Sequence, residues 1–358
     1  MKYEDTPEYR AEIAAQYQKR NLQIEVSEVH KILKALGLEV SPDDIVGAEA
    51  GNMNATFLAG KYVVKINKNP EETKYAANIV VSEALPESKV VRTVLHDQYG
   101  KTEYEVLVME RATGDMWLKK MPEMSEEQNK KLFAEVLNVV NECRSIKCTD
   151  KFGWVTDIIR DAEKSGFASF PDQLTARLDS YVSKLKQLSY VDQENLIQVD
   201  EYIRTHLHLF TKDVASFVHT DLHMGNVMHE DGKLTAVIDF DSIQSAPAYR
   251  ILMSLIGVID NPAQFVEGTP DFESYKGRRF EYLYPVMKEK LGDLLEEENL
   301  GLKLNILGMI EGLMWASEEW SKQWTKEMVE NLATNEMVED GDYSKTYYLP
   351  IIKKVRNS

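Results

Sequence analysis

Residues 217–241 read FVHTDLHMGNVMHEDGKLTAVIDFD, and this stretch decides the fold. Phe217-Val218-His219 enters a loop, Asn226-Val227-Met228 leaves it, and Asp231-Gly232 supplies a hairpin turn into an apolar strand, Leu234 to Phe240. Asp221 and Asn226 stand five residues apart on the loop, so both can be aimed at one point. The hairpin then returns the chain and sets Asp239, thirteen residues after Asn226, beside that amide. Phosphoryl transfer needs this set of groups. One carboxylate orients and deprotonates an attacking hydroxyl, and oxygen ligands hold magnesium against the phosphates.

His219-x-Asp221-x-x-x-x-Asn226 followed by Ile238-Asp239-Phe240-Asp241 resembles the aminoglycoside phosphotransferase and choline kinase group of small-molecule kinases. The resemblance implies an α+β, protein-kinase-like fold in two lobes, a small β-rich N-lobe and a larger, mostly helical C-lobe. It implies Asp221 as catalytic base and Asn226 and Asp239 as magnesium ligands. His219 would mainly hold the loop, and His223 would stand near the transferred phosphate. Asp239-Phe240-Asp241 occupies the place of the Asp-Phe-Gly motif of protein kinases, and an aspartate in place of the glycine favours a small-molecule kinase. Asp241 is therefore a candidate substrate contact.

Upstream, Ile45 to Ala48, Ala55 to Ala59 and Tyr62 to Ile66 read as strands separated by turn signals at Gly51-Asn52 and Gly60-Lys61. Lys65 is the sole charge in an apolar strand, a costly position unless an anion meets it. The resemblance makes Lys65 the ligand of the α- and β-phosphates of ATP or GTP, and Gly51 to Asn54 the nucleotide loop. A helix from 70 to 85 should carry the glutamate that pairs with this lysine in kinases. Glu71, Glu72 and Glu83 lie near its ends, and Asn78 lies where the partner is expected. Either Glu83 reaches back or the ion pair is replaced, and Glu83 is the candidate. Strands at Val90 to His96 and Tyr104 to Met109, split by Tyr99-Gly100-Lys101, lead into a hinge-like segment. There Glu110 to Ala112 would offer a purine one carbonyl and one amide. The lobe boundary falls near Thr113-Gly114, giving residues 1–113 as an N-lobe with an N-terminal helical extension (helix over 7–38) and residues 114–358 as the C-lobe.

Downstream, Arg250 stands where the resemblance leads one to expect an aspartate, so ion pairing there must differ. A helix over Leu302 to Trp324 puts Leu302, Ile306, Met309, Leu313, Ala316, Trp320 and Trp324 on a core face. Glu311, Trp315, Glu318 and Glu319 fall on the other side, either a solvated face or a wall for a cationic substrate. The net charge of −17 either serves solubility or in part lines a site for a cationic substrate, and it opposes binding to nucleic acid or anionic membranes. The charged N-terminus lacks a signal-peptide core, the longest apolar run (Ile251 to Ile259) is too short to span a bilayer, and Cys143 and Cys148 match no redox or zinc spacing. These features predict a cytoplasmic protein with reduced thiols. The overall expectation is transfer of a nucleotide γ-phosphate to a small hydroxylated, amine-bearing molecule. The alternative is a catalytically silent, nucleotide-binding regulatory protein, and a protein kinase is disfavoured because no Ala-Pro-Glu follows Asp239. The acceptor and the oligomeric state stay open.

Overall fold

A computed structural model describes residues 24–48, 55–67, 74–147, 149–267, 269–318, 322, 324–337 and 346–358. Gly51, Asn54, Glu71, Glu72, Cys148, Glu319, Trp320 and the first part of the N-terminal helix expected over 7–38 lie outside these residues.

Five antiparallel strands form the first sheet: β1 (Ile45–Gly47), β2 (Ala55–Ala59), β3 (Tyr62–Asn67), β4 (Thr93–Gln98) and β5 (Glu105–Glu110), in the order β1-β2-β3-β5-β4. The period-2 alternation of strands divides its side chains between two faces. Val64, Ile66, Val106 and Val108 join Phe57 and Ala59 under helix α1 (Val26–Ala35), which contributes Val29, Ile32 and Leu33. Gly37, at φ 81°, closes α1 in the left-handed conformation that glycine adopts without a Cβ penalty. The interleaved residues Lys65, Leu107 and Met109 face the opposite way. Leu107 and Met109 pack there with Tyr75, Val91 and Ile238.

Helix α2 (Ala76–Ala84) crosses behind that face. It is shorter than the helix expected over 70–85, of which residues 70–73 lie outside the described set. The strand expected to start at Val90 starts at Thr93 instead, because Val90 and Val91 are used elsewhere. Val90 bridges Val237 in parallel, with Val91 N–H donating to the Val237 carbonyl at 3.1 Å and Val237 N–H donating to the Lys89 carbonyl at 2.8 Å.

The remainder is mostly helical around two small sheets. One holds β6 (Asp115–Met116), β9 (Val227–Glu230) and β10 (Lys233–Val237), and the other holds β7 (Gly153–Trp154), β8 (Ser216–His219) and β11 (Ile243–Ala246). Asp231 and Gly232, at φ 52° and 77°, make the expected hairpin turn between β9 and β10. Helices α3 (Glu126–Arg144), α4 (Phe170–Lys186), α5 (Gln193–His206), α6 (Ile251–Asp260), α7 (Tyr284–Leu295), α8 (Leu300–Ala316), α9 (Thr325–Asn331) and α10 (Tyr348–Asn357) enclose one large apolar core.

Helix α8 departs from the expected two-faced helix over 302–324. It ends at Ala316 and packs against α4, α5, α9 and α10, so Lys303, Leu304, Asn305, Leu307 and Ile310 are buried along with Ile306, Met309 and Leu313. Its open side is confined to the C-terminal half, where Gly308, Glu311 and Gly312 are half-buried and Trp315 is exposed. Cys143 is buried, which pushes its thiol up to about 12. Among the described residues no helix is long and apolar enough to cross a membrane.

Candidate active site

The loop between β8 and β9 is held at several points. Thr220 N–H and its hydroxyl both donate to the Ser242 carbonyl, at 3.1 and 2.7 Å. Ser254 Oγ, on α6, donates to the Thr220 carbonyl at 2.8 Å. The Asn226 Nδ2 donates to the Asp221 carbonyl at 2.8 Å, and Ile238 N–H donates to the Asn226 carbonyl at 3.0 Å. Asp221, Asn226 and the residue before Asp239 are thereby linked through two backbone-anchored hydrogen bonds.

Asp239 adopts φ 64°, ψ 58°, the left-handed region that few side chains occupy and that aspartate tolerates better than most. The Lys65 Nζ bonds Asp239 Oδ1 at 2.5 Å and Asp241 Oδ2 at 2.9 Å. The Asn78 Nδ2, on α2, donates to Asp241 Oδ1 at 2.8 Å. Burial alone would lower the Lys65 pKa, but the two carboxylates outweigh it and hold the ammonium protonated. Asp239 is held below the usual carboxylate range by Lys65 against the effect of its burial. Burial pushes Asp241 up, with the Asp239 charge adding to the effect.

Asp221 has half of its side-chain surface open. Its carboxyl is pushed up to about 7 by desolvation and then by the charges of Asp239 and Asp241, against the pull of Lys65. His223 stacks on Phe265 at 5.0 Å, and its Nδ1 accepts from Gly225 N–H at 3.1 Å. That bond assigns the proton of the neutral ring to Nε2, which lies 3.9 Å from Asp221 Oδ1. Burial holds both His223 and His219 down at about 4, so both rings are neutral. His219 is buried against Phe240 at 5.0 Å, with Nε2 3.3 Å from the Ile238 carbonyl. This is a loop-holding position.

The structure thus brings Asp221, His223, Asn226, Asp239, Asp241 and Lys65 together. It does not bring Glu83 to Lys65. Glu83 is exposed near the C-terminal end of α2 and lines a groove with Leu85, Ser145, Ile146 and Lys147. Asn78 and Lys65 instead share Asp241, which bonds the lysine through Oδ2 and the amide through Oδ1. At the hinge, Glu110 N–H donates to the Arg92 carbonyl and Arg111 N–H to the Lys61 carbonyl, both at 2.9 Å. These bonds engage two of the three hinge amides, leaving the Ala112 amide as the one outside them. Glu311 is not an open carboxylate either. It pairs with the buried Arg250 at 2.6 Å, while Trp315 is exposed and Glu318 lies 3.9 Å from Lys184. Burial lowers the Arg250 guanidinium to about 10, and Glu311 opposes that shift.

Among the described residues no cluster of three or more His, Cys, Asp and Glu could hold a metal by itself. Asn226 and Asp239 still fit magnesium, which takes few protein ligands and completes its shell with water and phosphate oxygens. Because Nδ2 of Asn226 is committed to Asp221, its carbonyl oxygen is the atom left for such a role.

The sequence profile of the phosphotransferase enzyme family matches residues 44–284. No curated protein matches by sequence. Among solved structures, the chain is similar to ADP-bound aminoglycoside phosphotransferase APH(2'')-Ib, with a TM-score of 0.59 at 14% identity over 87% of this chain and 97% of that one. The streptomycin–ATP ternary complex of APH(2'')-IIa gives 0.58 at 16%, covering 87% and 98%. Aminoglycoside phosphotransferase APH(4)-Ia gives 0.57 at 14%, covering 88% and 100%. These likenesses show the two-lobed, kinase-like fold.

Proposed function

The chain belongs to the phosphotransferase enzyme family, and from that premise we propose that it transfers the γ-phosphate of ATP or GTP to a hydroxyl of a small, amine-bearing molecule. The observation that carries the reading is the convergence of Asp221, Asn226, Asp239 and Lys65, drawn from both sides of the cleft, through direct hydrogen bonds. In this reading the Asp221 carboxylate takes the proton of the acceptor hydroxyl as its oxygen bonds to the γ-phosphorus. The bond from that phosphorus to the β-γ bridging oxygen breaks, and the nucleoside diphosphate leaves with the electron pair. The neutral His223 offers its Nε2–H beside Asp221, where it can steady either that carboxylate or a phosphate oxygen. Lys65 supplies positive charge to the α- and β-phosphates. Asn226 and Asp239 would hold magnesium, which when bound neutralises charge developing on the phosphate oxygens. Gly51 and Asn54 are assigned to the phosphate turn on sequence alone, and the Glu110 carbonyl and Ala112 amide to the purine.

The amine on the acceptor is supported by the net charge of −17 and by structural neighbours captured with streptomycin and gentamicin. The exposed Trp315, with Glu318 and Glu311 shared with Lys184 and Arg250, is the side chain assigned to a cation-binding wall. The test is a thermal-shift screen of ATP and GTP with magnesium, followed by nucleoside diphosphate release across aminoglycosides, amino alcohols, neutral sugars and nucleosides. Release with a hydroxylated amine is expected. Turnover confined to neutral sugars or nucleosides would remove the amine. Tight nucleotide binding with no turnover on any acceptor would leave the silent regulatory protein.

A further inference from the structure

Protein kinases hold their phosphate-binding lysine with a glutamate from the following helix. Here that helix presents an amide, Asn78, and the lysine's second carboxylate arrives from 176 residues away in the sequence. Resting on the phosphotransferase reading, we infer that Asp241, steadied by Asn78, is the positioning residue that aims Lys65 at the nucleotide phosphates. The acid of the lysine–acid pair has moved from the helix to the end of the metal-binding motif.

Four observations support this. The two oxygens of Asp241 are divided, Oδ2 to the Lys65 ammonium at 2.9 Å and Oδ1 to the Asn78 amide at 2.8 Å. Both Lys65 and Asn78 are buried, at 7% and 2% exposure, so their bonds to Asp241 are shielded from competing water. The orientation of Asn78 follows from Asp241. Turning the amide over would set its carbonyl oxygen against a carboxylate, and as placed that oxygen is buried with no hydrogen-bond partner. Finally, α2 is fixed so that Asn78 meets Asp241. The buried Glu105 carboxylate accepts from the backbone amides of Lys74 and Tyr75 at the start of this helix, and from Asn67 Nδ2 two residues beyond Lys65. One carboxylate therefore ties the helix to the strand that carries the lysine.

The arrangement predicts a charge swap. Asp241→Asn should weaken magnesium–ADP binding about tenfold or more, the scale of one lost charge-assisted hydrogen bond. Asn78→Glu alone should weaken it as well, because the new carboxylate meets Asp241. The double variant Asn78→Glu, Asp241→Asn restores a helix carboxylate facing Lys65 and should recover binding to within about threefold of wild type. Binding is read by calorimetry with magnesium–ADP, alongside the melting temperature of each variant and the acceptor KM. A merely structural role predicts falling melting temperatures with no recovery in the double variant, and that result overturns the inference. A changed acceptor KM with unchanged ADP binding would return Asp241 to the substrate side and also overturn it. Should Asp241→Asn not fold, Asn78→Ala removes only the amide and must still weaken ADP binding. Failure of the wild-type protein to bind magnesium–ADP would instead defeat the phosphotransferase reading itself.

Discussion

Asp221 is pushed up to about 7, so as the proposed base it would be half ionised near neutrality. Only the ionised carboxylate can accept the acceptor's proton. The kcat/KM for the acceptor should therefore climb about tenfold per pH unit below 7 and level off above it, and a flat profile between pH 5 and 8 would remove Asp221 as the base. Asp221→Asn should lower turnover by about 10²–10⁴-fold while nucleotide still raises the melting temperature. The folding linkage has the matching sign. A carboxyl whose pKa is raised on folding costs stability once it ionises, so at pH 8 Asp221→Asn should melt no lower than wild type. Asp239 behaves differently, because Lys65 holds it ionised. Asp239→Asn keeps the shape and the tolerance for positive φ but loses a ligand charge, so magnesium should no longer add to the stabilisation by nucleotide. A full magnesium effect in that variant would contradict the assignment. The loop that brings Asp221 and Asn226 together was legible in the sequence because its residues are close in the chain. The partner of Lys65 was not. Glu83 lies five positions beyond Asn78, which at about 100° per residue turns it some 140° around the helix, away from the lysine. Nothing local announces Asp241, since the contact is formed by the fold.

Among the elements, β2, β3 and β5 were readable because alternation separates the residues under α1 from those facing the cleft. The start of β4 was misread. Val90 and Val91 look like strand residues, and they do form backbone bonds, but with Val237. Composition reports that a residue suits extended pairing and leaves the partner unnamed. The acidic side expected of the 302–324 helix is shorter than read, because helical periodicity cannot show that the helix ends at Ala316 or that Glu311 is engaged by Arg250. Two element-level predictions follow from close contacts. Gly114 has φ 87°, and a Cβ there would stand 2.0 Å from the His229 carbonyl oxygen, where backbone must move. Gly114→Ala should cost about 1–3 kcal/mol, read as a lowered melting temperature, and an unchanged value would mean that the β6–β9 contact yields freely. Glu105 is held below its ordinary range by His96, Asn67 and the amides of Lys74 and Tyr75, against its own burial. Its contribution is present above the unfolded carboxyl pKa and lost as pH falls through the folded one. Glu105→Gln should therefore destabilise clearly at pH 7 and progressively less toward pH 3. An equal effect at both pH values would mean that its charge does not matter.

For the molecule as a whole, the charge of −17 gives a field that favours cationic ligands and is screened over about 10 Å at 0.1 M salt. The KM of an amine-bearing acceptor should rise with ionic strength, and a neutral competitor's should stay level. Salt-independent KM for the best cationic acceptor would reduce the charge to a matter of solubility. The Val90–Val237 bridge has a consequence of another kind. Asp239 sits two residues past a strand that is stitched, by the amides of Val91 and Val237, to the approach to the first sheet. Asp239 is in effect tied through Val237 to the segment that leads into the first sheet. Opening can then proceed by pivoting at this stitch, which widens the mouth, or by unzipping it, which carries Asp239 away from Lys65. Amide hydrogen exchange separates the two. Protection shared by Val91 and Val237 that outlasts the flanking loops, with both amides released together, marks the stitch as the axle of the cleft.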